Sequence, residues 1–218
     1  SAASDVYKRQ VMEYYGVTAA DGIVVEGSDS NYLFPAPINL LPEYGSHEIT
    51  SPLSEGGYYM CLPLAQGLVV GDAPRDTVSV TELLTTSDSA YSKLSGYSMS
   101  TYEKEDGDID GPFALAVAIT ETLSDGGETG IIWVSSAYLL DDSTNASISG
   151  GNEDFFLNCV NWLCGSESGI SIHAKSLDAE YLTISSGTSS LLTMLMVGVI
   201  PVCFLAAGIV IWVRRKKR

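Results

Sequence analysis

The chain has 218 residues, with eleven basic and twenty-seven acidic side chains and a formal net charge of −16. Between residue 11 and the basic tail at 214–218, only Arg75, Lys93, Lys104 and Lys175 face twenty-six acids, a net −22. A surface of that sign repels nucleic acid and anionic lipid headgroups and excludes both as ligands.

Residues 1–10 (SAASDVYKRQ) read as a translated transposase adapter from library preparation, an artefact of the same kind as a cloning scar. The natural sequence is therefore expected to start near Val11, N-terminally truncated, with an α/β domain over 11–186. Residues 11–17 resemble the last turn of a helix stopped at Gly16. Residues 22–26 (GIVVE) are expected to form a short strand. Residues 28–54 contain Pro35, Pro37, Pro42 and Pro52 and read as an extended segment or loop. Residues 58–62 and 67–70 flank Pro63 as strand and turn. Residues 77–86 (TVSVTELLTT) alternate as a strand does. Residues 87–111 are polar and end in an acidic run. Residues 113–123 are apolar and fit either a strand or a helix.

Residues 129–135 (TGIIWVS) are continuously apolar, the pattern of a strand buried in a parallel sheet. Residues 141–151 read as a loop. Residues 152–164 give the clearest helix of the domain, with Asn152 as N-cap, Glu153 and Asp154 on the positive end of the dipole, and Gly165 as stop. Residues 170–184 read as a last strand or extended arm. Strands alternating with helices argue for an α/β layered fold.

From Leu191 to Val213 the chain is LLTMLMVGVIPVCFLAAGIVIWV, without a charge. Twenty-three helical residues span about 35 Å, against a hydrocarbon core of about 30 Å. Residues 187–213 are read as juxtamembrane and transmembrane helix. The tail at 214–218 (RRKKR) follows at once and is expected on the cytoplasmic side, which puts the domain outside. Pro201 is expected to kink the span. Gly198, Ala206, Ala207 and Gly208 permit close approach of a second helix.

Chemistry-bearing residues are few. Cys61, Cys159 and Cys164 lie outside the span and Cys203 inside it. They have no C-x-x-C spacing, which excludes a zinc site or a disulfide framework, and each reads as a small buried hydrophobe. Cys61 stands between Met60 and Leu62-Pro63, without the small neighbours a nucleophile elbow requires. Its only candidate bases are His47, beside Glu48, and His173; core cysteine and surface histidine are the expected roles. Ser135 and Ser136 follow an apolar strand, with Asp141 and Asp142 close after, but G-x-S-x-G is absent and a turn is expected. Asp106-Gly107-Asp108-Ile109-Asp110-Gly111 opens like a calcium loop, yet the twelfth position, where a bidentate Glu belongs, is Val117. Looser calcium contact through Glu103, Glu105, Asp106, Asp108 and Asp110 remains open beside a solvated loop. Asn145-Ala146-Ser147 has the form of a glycosylation sequon and marks an exposed loop. No catalytic, cofactor-binding or metal residue is therefore assigned, and no cofactor is expected.

The order of several short pieces resembles the Gldg family, the gliding-motility-type auxiliary proteins of ABC transporters. The pieces are Tyr14-Tyr15-Gly16, Ile49-Thr50-Ser51-Pro52-Leu53 after His47, Pro63-Leu64-Ala65-Gln66-Gly67, and Leu83-Leu84-Thr85-Thr86-Ser87. Gly111-Pro112-Phe113-Ala114-Leu115-Ala116-Val117-Ala118, Trp133-Val134-Ser135-Ser136-Ala137, Gly151-Asn152 and Asn161-Trp162-Leu163 follow, then the anchor with its basic tail. The resemblance implies a flavodoxin-like or class I amidotransferase-like layered domain followed by the C-terminal transmembrane helix. It also implies a further membrane helix before the domain, and an ABC permease and a cytoplasmic ATPase as partners. No phosphate-binding G-x-x-x-x-G-K-[ST] is present, so nucleotide hydrolysis is expected of the partner. The function expected is a non-catalytic auxiliary subunit at the cell membrane. A tethered extracytoplasmic binding or scaffold protein is the alternative, and a hydrolase-like enzyme the third reading.

Overall fold

The computed structural model describes residues 2–72, 75–165 and 185–216. In chain order the elements are α1 (Ala2–Tyr14), β1 (Val17–Ala19), β2 (Ile23–Val25), β3 (Asn39–Leu40), β4 (Glu43–Tyr44), α2 (Ser51–Gly56), β5 (Leu62–Pro63) and β6 (Leu68–Val70). There follow β7 (Val78–Thr85), β8 (Tyr91–Lys93), β9 (Ile109–Asp110), β10 (Ala114–Thr122) and β11 (Glu128–Val134). The chain then forms α3 (Asp142–Ser147), α4 (Gly151–Leu163), α5 (Ser186–Thr193) and α6 (Ile200–Lys216). The mixed α/β composition expected from the sequence is present.

The ambiguous segment at 113–123 is the central strand, β10. Along one edge it pairs with β7 from Ala114 to Glu121; along the other it pairs with β6 at Ala114 and then with β11. β1 extends the sheet beyond β6, and β4 extends it beyond β7. The pairing with β7 shifts register between Ala114 and Val117. A bulge breaks the strict two-residue alternation there. Leu115, Ala116 and Ala118 consequently face one core cluster, while Ala114, Val117 and Ile119 face another. The first cluster is closed by Leu53 of α2 and by Phe155, Cys159 and Trp162 of α4; the second by Met12 of α1 and by Tyr15. The sheet is thus covered on both faces. Phe155 is completely buried, and its truncation to Ala is expected to cost about 3–5 kcal/mol.

All ladders among the described residues are antiparallel, β11 included. The expectation of a parallel strand at 129–135 is therefore corrected. The apolar run is real, because Ile132 and Val134 pack into one cluster and Ile131 and Trp133 into the other. Burial on two faces needs a layer on each side, not parallel neighbours. β11 is also an edge strand, which leaves Ile131 to Val134 only partly buried.

Three local expectations change as well. Residues 141–151 are not a plain loop, since they contain α3, capped by Asp141 accepting from the Thr144 N–H at 3.1 Å. The cap position of α4 is Gly150, at φ 88°, and Asn152 is a buried residue within the helix. The prolines of 28–54 leave room for β3, β4 and α2, whose first turn carries Pro52. Gly16 does end α1, at φ 79°. The arm expected at 170–184 lies outside the described residues.

From Gly187 to Lys216 one helix of 30 residues, with mean hydropathy 2.7 over its most apolar window and no burial there, is long and apolar enough to cross a membrane. Ahead of Pro201 the helix carries a π-helical turn over Met194–Val199. Pro201 offers no N–H to the turn before it and crowds its carbonyls, and a widened turn relieves the clash.

Candidate functional site

Cys61 lies just before β5, 1% exposed, among Leu41, Ile148 and Leu33. Burial pushes its thiol up to about 12, which removes the thiolate a nucleophile needs. Its backbone is gripped by Asn152. The carboxamide oxygen accepts from the Cys61 N–H at 3.1 Å, and the amide nitrogen donates to the Cys61 carbonyl at 2.7 Å and the Leu139 carbonyl at 2.9 Å. Cys159 is buried likewise and its thiol is also pushed up to about 12. Cys164 is exposed, which corrects the expectation that it is a buried small hydrophobe, and Cys203 lies on the long apolar helix.

His47 does not stand ready as a base. Its Nδ1 accepts from the Ile49 N–H at 3.2 Å, and its ring lies edge-on to Trp162 with centroids 5.5 Å apart. Desolvation lowers its pKa, opposed in part by Glu48. The carbonyl of His47 accepts from Ser51 Oγ at 2.8 Å and Thr50 Oγ1 at 3.0 Å, so this residue builds the start of α2. His173 lies outside the described residues.

Ser136 Oγ donates to the Pro63 carbonyl at 2.6 Å and accepts from the Tyr138 N–H at 3.2 Å, the turn chemistry expected after the strand. Asp141 is occupied as the cap of α3. Hydrogen bonds from Ser143 and Thr144 hold its carboxyl below the ordinary range. Neither meets a histidine among its hydrogen-bond partners.

The acidic loop closes around a cation of the chain's own. The side chain of Lys93, at the end of β8, is 0% exposed. Its Nζ donates to the Glu103 carbonyl at 2.5 Å, to Glu105 Oε2 at 2.8 Å and to Asp108 Oδ2 at 3.4 Å. Asp108 also accepts from the Glu105 N–H at 2.8 Å and the Leu94 N–H at 3.1 Å. Lys104 pairs with Asp110 at the rim. The hydrogen bond to Glu105, with Asp108 beside it, raises the Lys93 pKa despite desolvation. Among the described residues no group of three or more histidines, cysteines and carboxylates is placed to hold a metal ion.

Two further polar groups are buried, Glu26 and Asn145. Glu26 is 3% exposed and accepts from Ser87 Oγ at 2.5 Å and from the N–H groups of Ser28 and Ser87 at 3.0 and 3.3 Å. Asn145, expected on an exposed loop, is 7% exposed, and its oxygen accepts from the Glu153 N–H at 3.3 Å. Placing it in α3, under α4, corrects that expectation.

One cleft of about 350 Å³ opens beside the central strand, bounded by Phe113, Pro112 and Val69, with Glu43, Glu82 and Asp88 on its walls. No family model, curated protein or solved structure matches this chain.

Proposed function

We propose that this chain is a non-catalytic, membrane-anchored auxiliary subunit of an ABC-type transport system. The observation that carries the anchor is the helix from Gly187 to Lys216, apolar and unburied along its most hydrophobic stretch. The transport assignment rests on the resemblance to the Gldg family. The non-catalytic part of the reading is supported by the structural hydrogen bonds of His47, Ser136 and Asp141 and by the burial of Cys61. The basic tail supports an orientation with the domain outside the cytoplasm. The space around Gly198 and Gly208, where nothing lies within 4 Å, leaves the helix open to a permease helix. The same resemblance carries the flavodoxin-like or amidotransferase-like layering, toward which the two-sided covering of the sheet counts and its antiparallel ladders do not.

The test is affinity isolation of the tagged full chain from native membranes in mild detergent, with mass spectrometry of what accompanies it. A permease and its ATPase in fixed ratio are the expected result. Isolation alone, or with wall proteins only, would replace this reading by a tethered binding protein. The acid-walled cleft beside Phe113 favours that second reading, as a seat for a cationic group.

A further inference from the structure

The loop before β3 touches the start of the membrane helix. Leu33 forms an antiparallel bridge with Ser185, and the Gly187 N–H donates to the Asp29 carbonyl at 2.9 Å. Ser30 Oγ also lies close to Gly187. Leu191, where the apolar run begins, is four residues beyond Gly187, about 6 Å along the helix. Each interfacial layer of a bilayer adds about 5–7 Å to the hydrocarbon core. The loop therefore stands at headgroup depth whenever the helix spans.

Its composition suits that depth. Residues 30–42 (SNYLFPAPINLLP) contain no charge, in a domain that otherwise carries twenty-two excess acids. Phe34 is 65% exposed, with Pro35 exposed and Tyr32, Leu33, Ala36 and Ile38 part-exposed around it. The loop is also held in shape: the Leu33 N–H donates to the Asn39 carbonyl at 2.8 Å, and the Leu41 N–H to the Asn31 carbonyl at 2.7 Å. A fixed, uncharged loop with a projecting aromatic is what a lipid interface retains.

We infer that the loop at 30–38 is a second membrane contact, with Phe34 inserted into the headgroup–acyl boundary of the leaflet the helix enters. This fixes the domain against the bilayer rather than letting it hang from a tether. The inference rests on the membrane reading of the helix and is independent of the transporter assignment.

The test uses the full chain in phosphatidylcholine nanodiscs, with Cys164→Ser and Cys203→Ser removing the exposed thiols. An environment-sensitive fluorophore is placed at Phe34→Cys or, separately, at Leu205→Cys within the helix. The Phe34 label is expected to lose most of its emission to lipids with a headgroup-region nitroxide and to resist aqueous iodide. Quenching of Leu205 by lipid with a mid-chain nitroxide, together with iodide quenching of Phe34, overturns the loop contact and leaves the anchor standing. Failure of the headgroup nitroxide to quench Phe34 and of the mid-chain nitroxide to quench Leu205 overturns both.

Discussion

Asn152 pairs with the backbone of Cys61 as a neighbouring strand would, accepting its N–H and donating to its carbonyl across ninety-one positions of sequence. A third bond ties in Leu139, so one carboxamide joins α4, the segment before β5 and the approach to α3. Asn152→Ala would strand a buried N–H and two buried carbonyls. Each unmet group costs about 1–3 kcal/mol, offset in part by relaxation, so a loss of about 3 kcal/mol is expected. Denaturant unfolding of the full chain in detergent, followed by tryptophan emission, checks this. A loss under half a kilocalorie, roughly the level of a surface substitution, would mean that the helix holds its place without this bond.

The cysteines should separate cleanly by reactivity. With a thiol pKa of about 12 at Cys61 and Cys159, roughly one molecule in ten thousand carries the thiolate at pH 8. Cys164 is exposed. Alkylation at pH 8 followed by peptide mapping should find Cys164 modified early and Cys61 and Cys159 modified only after denaturation. Fast labelling of Cys61 in the folded protein would reopen the nucleophile reading.

Lys93 predicts how the acidic loop responds to pH and to metal. Its pKa is raised, chiefly by Glu105 with Asp108 helping, so its contribution is complete below about pH 10.4 and is lost as pH climbs through the folded value. Burial alone would raise Asp108, but hydrogen bonds from Glu105, Leu94 and Lys93 outweigh it. The net lowering gives a contribution present above about pH 3.9 and lost as pH falls below it. Thermal unfolding should show a flat neutral region with falls at both ends. Lys93→Met should lower the neutral plateau by several degrees and reduce the alkaline fall, leaving the part due to the buried tyrosines and thiols. Millimolar calcium should leave the wild-type Tm unchanged, because the converging oxygens already hold an ammonium. A calcium-dependent rise would show a site elsewhere in the loop.

The course of the chain was legible wherever a periodic pattern repeated over enough residues to identify itself. The strand at β7, the helix at α4 and the long apolar C-terminal helix all stand close to their sequence limits. β10 was ambiguous because Ala114, Ala116 and Ala118 alternate with larger apolar residues, and burial on both faces erases the contrast that marks a strand. β11 shows the same erasure, which misled the expectation toward a parallel sheet. The polar centres were hidden for a different reason. Lys93 is an isolated charge in a short strand, and its partners Glu105 and Asp108 lie twelve and fifteen residues on. Asn152 sits where a cap is expected, and only the fold reveals that its carboxamide turns inward to Cys61.

The bond from Asn145 to Glu153 bears on both stability and modification. α4 begins at Gly150, which has no side chain to cap it, and the N–H of Glu153 is one of the four donors a helix start leaves unpaired. Asn145 supplies the missing acceptor from α3, eight residues upstream. Asn145→Ala should therefore destabilise by about 1 kcal/mol, the usual value of a lost cap. The same burial keeps the sequon shut. Glycan transfer needs the carboxamide nitrogen exposed, and here the residue is 7% exposed. Expression through a glycosylating secretory pathway should give a product whose gel mobility does not change on endoglycosidase treatment. Moving the sequon to the exposed hairpin at Gly126, as Gly126→Asn with Glu128→Thr, should give a mobility shift and confirm that the assay detects modification. A shift in the unmodified sequence, abolished by Asn145→Gln, would mean that α3 is not yet packed when the chain emerges, and that the capping bond forms late.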